Sequence, residues 1–145
     1  MRIMRALAVT GGLALSACGG STTTPSTTPS TPLNLAGTWT GTWTFLSGGA
    51  TVSDTVTMTL TQSDASASGP WSAAGGAAGT VAFATTADFT GTASIRQILI
   101  NGVNCSSSTT LTGTATSNQI RFTLIALAPA GLCQWATNNQ FTFSR

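Results

Sequence analysis

Alternation of threonine with bulky apolar residues is the feature that most limits how this chain folds. Between 38 and 45 it places Thr38, Thr40, Thr42 and Thr44 on one parity, with Trp39, Gly41, Trp43 and Phe45 on the other. The pattern returns at once, with Val52, Val56, Met58 and Leu60 set against Thr51, Ser53, Thr55, Thr57, Thr59 and Thr61. A weaker third case sets Leu111 and Ala115 against Thr110, Thr112, Thr114 and Thr116. Successive side chains of a strand point to opposite faces, so a period of two means strands with one face buried and one in water. Threonine suits the wet face because its branched Cβ fits a pleated surface. No stretch of the domain carries a helical period.

Turn-forming clusters punctuate the alternation at Ser47-Gly48-Gly49, Ser63-Asp64, Gly75-Gly76, Ala87-Asp88, Asn101-Gly102, Ser117-Asn118 and Pro129-Ala130-Gly131. They divide the region into eight strands, at about 36–46, 51–62, 66–73, 79–86, 90–100, 103–116, 119–128 and 132–144. Pro70 lacks a backbone donor and predicts an edge or a bulge in the third strand. Asn138-Asn139 predicts a bulge in the last. Sequential antiparallel strands with one apolar face each bury it best by closing on themselves, which also removes exposed edges. The expected fold is therefore all-β, an eight-stranded antiparallel up-and-down (meander) barrel, with an open β-sandwich as the alternative. Nine of the ten aromatic residues, Trp39, Trp43, Phe45, Trp71, Phe83, Phe122, Trp135, Phe141 and Phe143, are enough to fill so small a barrel.

Gly37-Thr38-Trp39 on the first strand resembles the Gly-x-Trp signature of the calycin barrels, which include lipocalins and avidins. The resemblance implies an arginine packed over Trp39, for which Arg121 and Arg145 are available. Lipocalins also carry a helix near the C-terminus, and the sequence shows none. Avidins place a tyrosine in their pocket, and this chain has no tyrosine.

Ahead of the domain, Met1-Arg2-Ile3-Met4-Arg5 is followed by a mostly apolar run from Ala6 to Ala17 and then by Cys18. A basic start, a short apolar core and small residues before the cut form a secretory signal. The run is shorter than the roughly 20 residues that span a bilayer. Leu15-Ser16-Ala17-Cys18 resembles the lipobox of bacterial lipoproteins, and the resemblance implies cleavage before Cys18 with a diacylglyceryl group on its thiol. Membrane lipid would then be the first partner, since each buried methylene contributes about 0.8 kcal/mol. Gly19 stands where some bacteria place an inner-membrane retention aspartate, which favours the outer membrane of the cell envelope. Gly19 to Pro32 holds only Gly, Ser, Thr and Pro, a composition with nothing to bury. The expected organisation is a signal peptide over 1–17, a lipidated cysteine and tether over 18–33, and the barrel domain over 34–145.

Charge excludes several functions. Beyond Cys18 the chain carries only Arg96, Arg121 and Arg145 against Asp54, Asp64 and Asp88. Three scattered arginines make no basic face for a phosphate backbone, so no nucleic-acid partner is expected. The chain has no histidine and no lysine, so neither a hydrolase triad nor a Ser-Lys dyad can be assembled. Asp54 falls on the apolar parity of its strand, whereas Asp64 and Asp88 sit in turns. The domain is expected to be non-catalytic, with no cofactor and no metal.

With Cys18 lipidated, Cys105 and Cys133 remain as a pair in an exported protein, which predicts a disulfide. In a meander both lie at the same rim. At that rim Ile98 and Ile100 depart from the parity of their strand, as do Ile125 and Leu127 of theirs. With Val103 and Leu132 they outline an apolar patch, to be covered by the last connection or presented to a protein or an apolar ligand. The functional expectation is a membrane-anchored lipoprotein whose barrel has a binding or structural role. Two alternatives are a carrier of a small apolar ligand and an inhibitor resembling the small exported barrels that block metalloproteases.

Overall fold

Eight strands follow one another around a closed antiparallel barrel in the computed structural model, which describes residues 31–98, 102–125, 127, 133 and 135–145. They are β1 (Gly37–Ser47), β2 (Ala50–Ser63), β3 (Ser66–Ala73), β4 (Ala78–Ala84), β5 (Asp88–Ile98), β6 (Asn104–Ala115), β7 (Gln119–Leu124) and β8 (Thr137–Ser144). Each strand pairs with its sequence neighbour, and β8 closes on β1 through pairs such as Thr40–Ser144 and Trp43–Phe141. The meander barrel is thus the fold, and the sandwich is set aside. The signal segment, Cys18 and most of the tether lie outside the described residues, as do Ile100 and Leu132.

Parity does the sorting. Trp39, Val56, Met58, Leu111, Ile120, Phe141 and Phe143 are fully buried on the inward face. Outward threonines pair across the strands, Thr38 with Thr59, Thr40 with Thr57 and Thr42 with Thr55. Cross-strand threonine pairs stabilise a sheet by a few tenths of a kcal/mol each, roughly. A barrel that crosses a membrane turns its apolar residues outward. Here the order is reversed.

Inside, the rings gather into one cluster around Phe141 and a separate Phe83–Phe89 pair. Trp43 lies parallel to Phe141 with centroids 5.5 Å apart, and Phe141 stacks on Phe122 at 4.8 Å. Trp71 meets Phe141 edge-on at 5.2 Å, and Phe83 stacks on Phe89 at 4.4 Å. Offset and edge-to-face contacts of this kind add about 0.5–1.5 kcal/mol each beyond area burial. So many rings fit one small cylinder because some inward positions carry no side chain. A Cβ at Gly41 would lie 1.8 Å from the Thr142 carbonyl oxygen, and one at Gly69 equally close to that of Thr59. Neighbouring backbone coils over these positions, which is how a small barrel turns its corners.

Three local expectations change. Pro70 sits neither at an edge nor in a bulge: β3 lies between β2 and β4 with constant register. The β2 ladder is interrupted opposite Gly69 and Pro70, between the Met58–Trp71 and Thr61–Ser68 pairs, so the missing donor falls in a gap. The outer strands of the final hairpin are shorter than the alternation predicts, with β7 ending at Leu124 and β8 beginning at Thr137. Asn138 has φ 52°, and the register of β8 against β1 shifts between Thr44 and Leu46. The bulge predicted at Asn138-Asn139 is therefore present, and it takes the chain before Thr137 out of the ladder. Val52, placed by parity inside, is 39% exposed because it stands on the lip of the barrel.

The barrel has a sealed base. The segment before β1 folds across it, with the Leu33 amide donating to the Thr85 carbonyl (2.8 Å) and the Leu35 amide to Gln62 Oε1 (2.7 Å). Leu35 is fully buried, and its carbonyl accepts the indole N–H of Trp39 at 2.9 Å. Arg145 closes the seam from outside. Its guanidinium lies 4.4 Å from the Trp39 ring centroid and donates to the carbonyls of Ser117, Ala36 and Asn34. Of the two arginines available for that place, Arg145 occupies it, whereas Arg121 is exposed on β7.

Candidate ligand-binding mouth

The end opposite the base is built differently. There the strand ends diverge around a cavity of about 500 Å3. β1 supplies Trp43 and Phe45, β2 supplies Val52 and Asp54, and β5 supplies Ile95 and Gln97. Gly75 and Ala77 line it beside the turn between β3 and β4, and Leu127, Trp135 and Asn139 close the remaining side. A cavity of this size and mixed lining suits a small organic molecule.

The floor is rigid. Trp43 stacks on Phe141 below and contacts Phe45 at 4.3 Å, while its Nε1 donates to Asn139 Oδ1 at 3.0 Å. Asn139 is buried, and its Nδ2 donates to the Ala136 carbonyl at 2.7 Å. The bulge in β8 therefore has a use: it turns an amide inward to satisfy the floor indole and the chain before the strand. A buried amide left without partners would cost about 1–3 kcal/mol per group.

The walls hold two polar features. Asp54 lies directly across from Trp43 in the β1–β2 register, on the inward parity, and its Oδ2 accepts the Gly75 amide at 2.7 Å. It is the one charged side chain among the described residues that line the cavity. Among the described residues, two buried side-chain polar atoms have no hydrogen-bond partner: Thr85 Oγ1 near the base and Trp135 Nε1 at the mouth.

Cys105 and Cys133 are joined, with Cα atoms 5.5 Å apart. Cys105 is buried on β6 opposite Gln97, so the bridge fastens the chain between β7 and β8 to the wall beside the cavity. Closing a loop of about 29 residues contributes about 3.6 kcal/mol on the chain-entropy model.

Of the apolar patch read from the sequence, Ile100 and Leu132 lie outside the described residues, and the other four are placed as follows. Leu127 packs against the core and lines the cavity. Val103 is half-buried. Ile98 and Ile125 are exposed, at 65% and 51%. Ile98 pairs with Asn104, whereas the Ile125 amide bonds the Thr110 carbonyl and its own carbonyl accepts the Thr109 hydroxyl. Six positions along β6 separate those partners, about 20 Å at roughly 3.3 Å per residue. Sequence reasoning found the rim but not the cavity within it. The signal for the cavity was Asp54, an acid on an apolar parity.

Among the described residues, no three acidic, histidine or cysteine side chains converge as a metal site would require. No family model matches the chain, and neither a curated protein nor a solved structure compared with it gives a match.

Proposed function

We propose that this protein is an exported lipoprotein, held to the cell envelope through acylated Cys18, whose non-catalytic barrel binds a small ligand in its mouth. The observation that carries the binding role is the cavity of about 500 Å3 at the end away from the tether. The middle of the barrel is packed with stacked rings, so the ligand rests on the Trp43 floor rather than entering the cylinder. The basic start, apolar run and Leu15-Ser16-Ala17-Cys18 support the anchoring. Attached near its sealed base, the domain turns its mouth away from the bilayer. The absence of histidine and lysine supports a binding rather than a catalytic role.

Native mass spectrometry of the protein isolated from its own envelope tests both parts. The expected spectrum shows a mass cut before Cys18 and increased by acyl chains, with a small molecule released at higher collision energy. An intact Met1 with an unmodified thiol overturns the anchoring. Occupancy unchanged by Trp135→Ala and Phe45→Ala overturns the mouth.

A further inference from the structure

The polar chemistry of the mouth points to one sign of ligand. Along β2 the inward positions Val56, Met58 and Leu60 are buried and apolar, and Asp54 breaks the series at the mouth. Asp54 is half-buried, so its carboxylate gives up part of its hydration, a loss that polar or charged contacts offset. Part of the compensation is the Gly75 amide on Oδ2. Glycine permits this approach, because a Cβ at position 75 would stand 2.7 Å from the same oxygen and displace it. No cation completes it among the described residues. Arg145 is engaged at the base, and Arg96 and Arg121 are exposed on the outside of the wall. The rings of Phe45 and Trp135 border the same space. A fixed carboxylate among aromatic faces, in a cavity with no positive group, is the arrangement that receives an organic cation.

We infer that the mouth selects a compact organic cation, an amine or ammonium carrying a small apolar body, with Asp54 as its counter-charge. The inference rests on the reading of the mouth as a ligand site and adds the sign of the ligand. In the bound state the cationic nitrogen faces Asp54, and the apolar body lies against Phe45, Trp135 and the Trp43 floor.

Three probes that share one ring and differ in charge test this: benzylamine, benzyl alcohol and benzoate. Each is titrated calorimetrically, and by tryptophan fluorescence, into the purified full-length protein in a neutral maltoside detergent. Benzylamine is expected to bind at least about tenfold more tightly than benzyl alcohol, the scale of one charge-assisted hydrogen bond, with benzoate weakest. Raising salt should weaken benzylamine and leave benzyl alcohol unchanged. Asp54→Asn keeps an acceptor for the Gly75 amide, so it should fold, lower benzylamine to the level of the alcohol and leave the alcohol unaffected. Equal binding of amine and alcohol, insensitive to salt, overturns the cation and leaves the mouth as a neutral site. A preference for the amine that survives in Asp54→Asn overturns the role of Asp54. If none of the three binds, the cation inference and the ligand-binding reading fall together.

Discussion

The two ends of this barrel are made from the same strands yet solve opposite problems. At the base, the chain supplies its own stopper: Leu35 fills the opening, Trp39 bonds the stopper's backbone, and Arg145 covers the indole while collecting three carbonyls. At the mouth the described residues leave a cavity, a carboxylate with no cation beside it and an indole N–H with no partner among them. At the base most polar groups are satisfied within the protein, with Thr85 Oγ1 the exception, whereas at the mouth Asp54 has only the Gly75 amide and Trp135 Nε1 has no partner among the described residues. A fold that finishes one end this thoroughly has the means to finish the other. The difference teaches that the open end is a property of these particular side chains and not of the architecture.

The contrast breaks most sharply at the base. Trp39→Ala removes a fully buried ring, its hydrogen bond to Leu35 and the support of Arg145, and should cost about 3–5 kcal/mol in urea unfolding. Trp135→Ala, at the mouth, should cost well under half of that, because the ring is only partly buried. Equal losses would erase the distinction between the ends. Next in size is the bridge. Cys105→Ser with Cys133→Ser should cost about 3.6 kcal/mol, with hydrogen exchange rising at the mouth and the base amides of Leu33 and Leu35 staying protected until global unfolding. Arg145→Lys keeps the charge but loses the planar fork that serves three carbonyls, and a drop of about 1 kcal/mol is expected. The smallest effect belongs to Ile98→Ser and Ile125→Ser, each within about 0.5 kcal/mol, since both side chains already face water. A larger loss at either would mean that the surface contacts are misjudged.

Much of the barrel was legible before any coordinates, because its rules are local. Alternation in 38–45 and 51–61 set which face was buried, and glycine pairs and Ser-Asp or Ser-Asn steps marked the turns. The Asn138-Asn139 bulge was legible for the same reason. What escaped depended on what lies across from a residue. Pro70 read as an edge signal because a lone strand offers no account of its partner, and only the β2 register shows the ladder already interrupted there. Val52 and Phe45 share a parity with buried residues but stand where the cylinder ends, and alternation carries no information about height along an axis. The mouth was half legible: the disulfide and the rim could be placed from strand order, and the odd parity of Asp54 was plain. That Asp54 faces Trp43 beneath an open space required the closure of the barrel.

The seam between β1 and β8 has a consequence for how the molecule comes into being. The first strand made finds one of its two neighbours only when the final residues have been made, since Thr40 pairs with Ser144 and Trp39 waits for Arg145. Contacts so distant along the chain form slowly, and until they do both margins of the growing sheet stay open to unwanted pairing. On the proposed route of export, a polypeptide threaded through a secretion channel from its N-terminus could not finish this ring before β8 had crossed, and the ring would close only then.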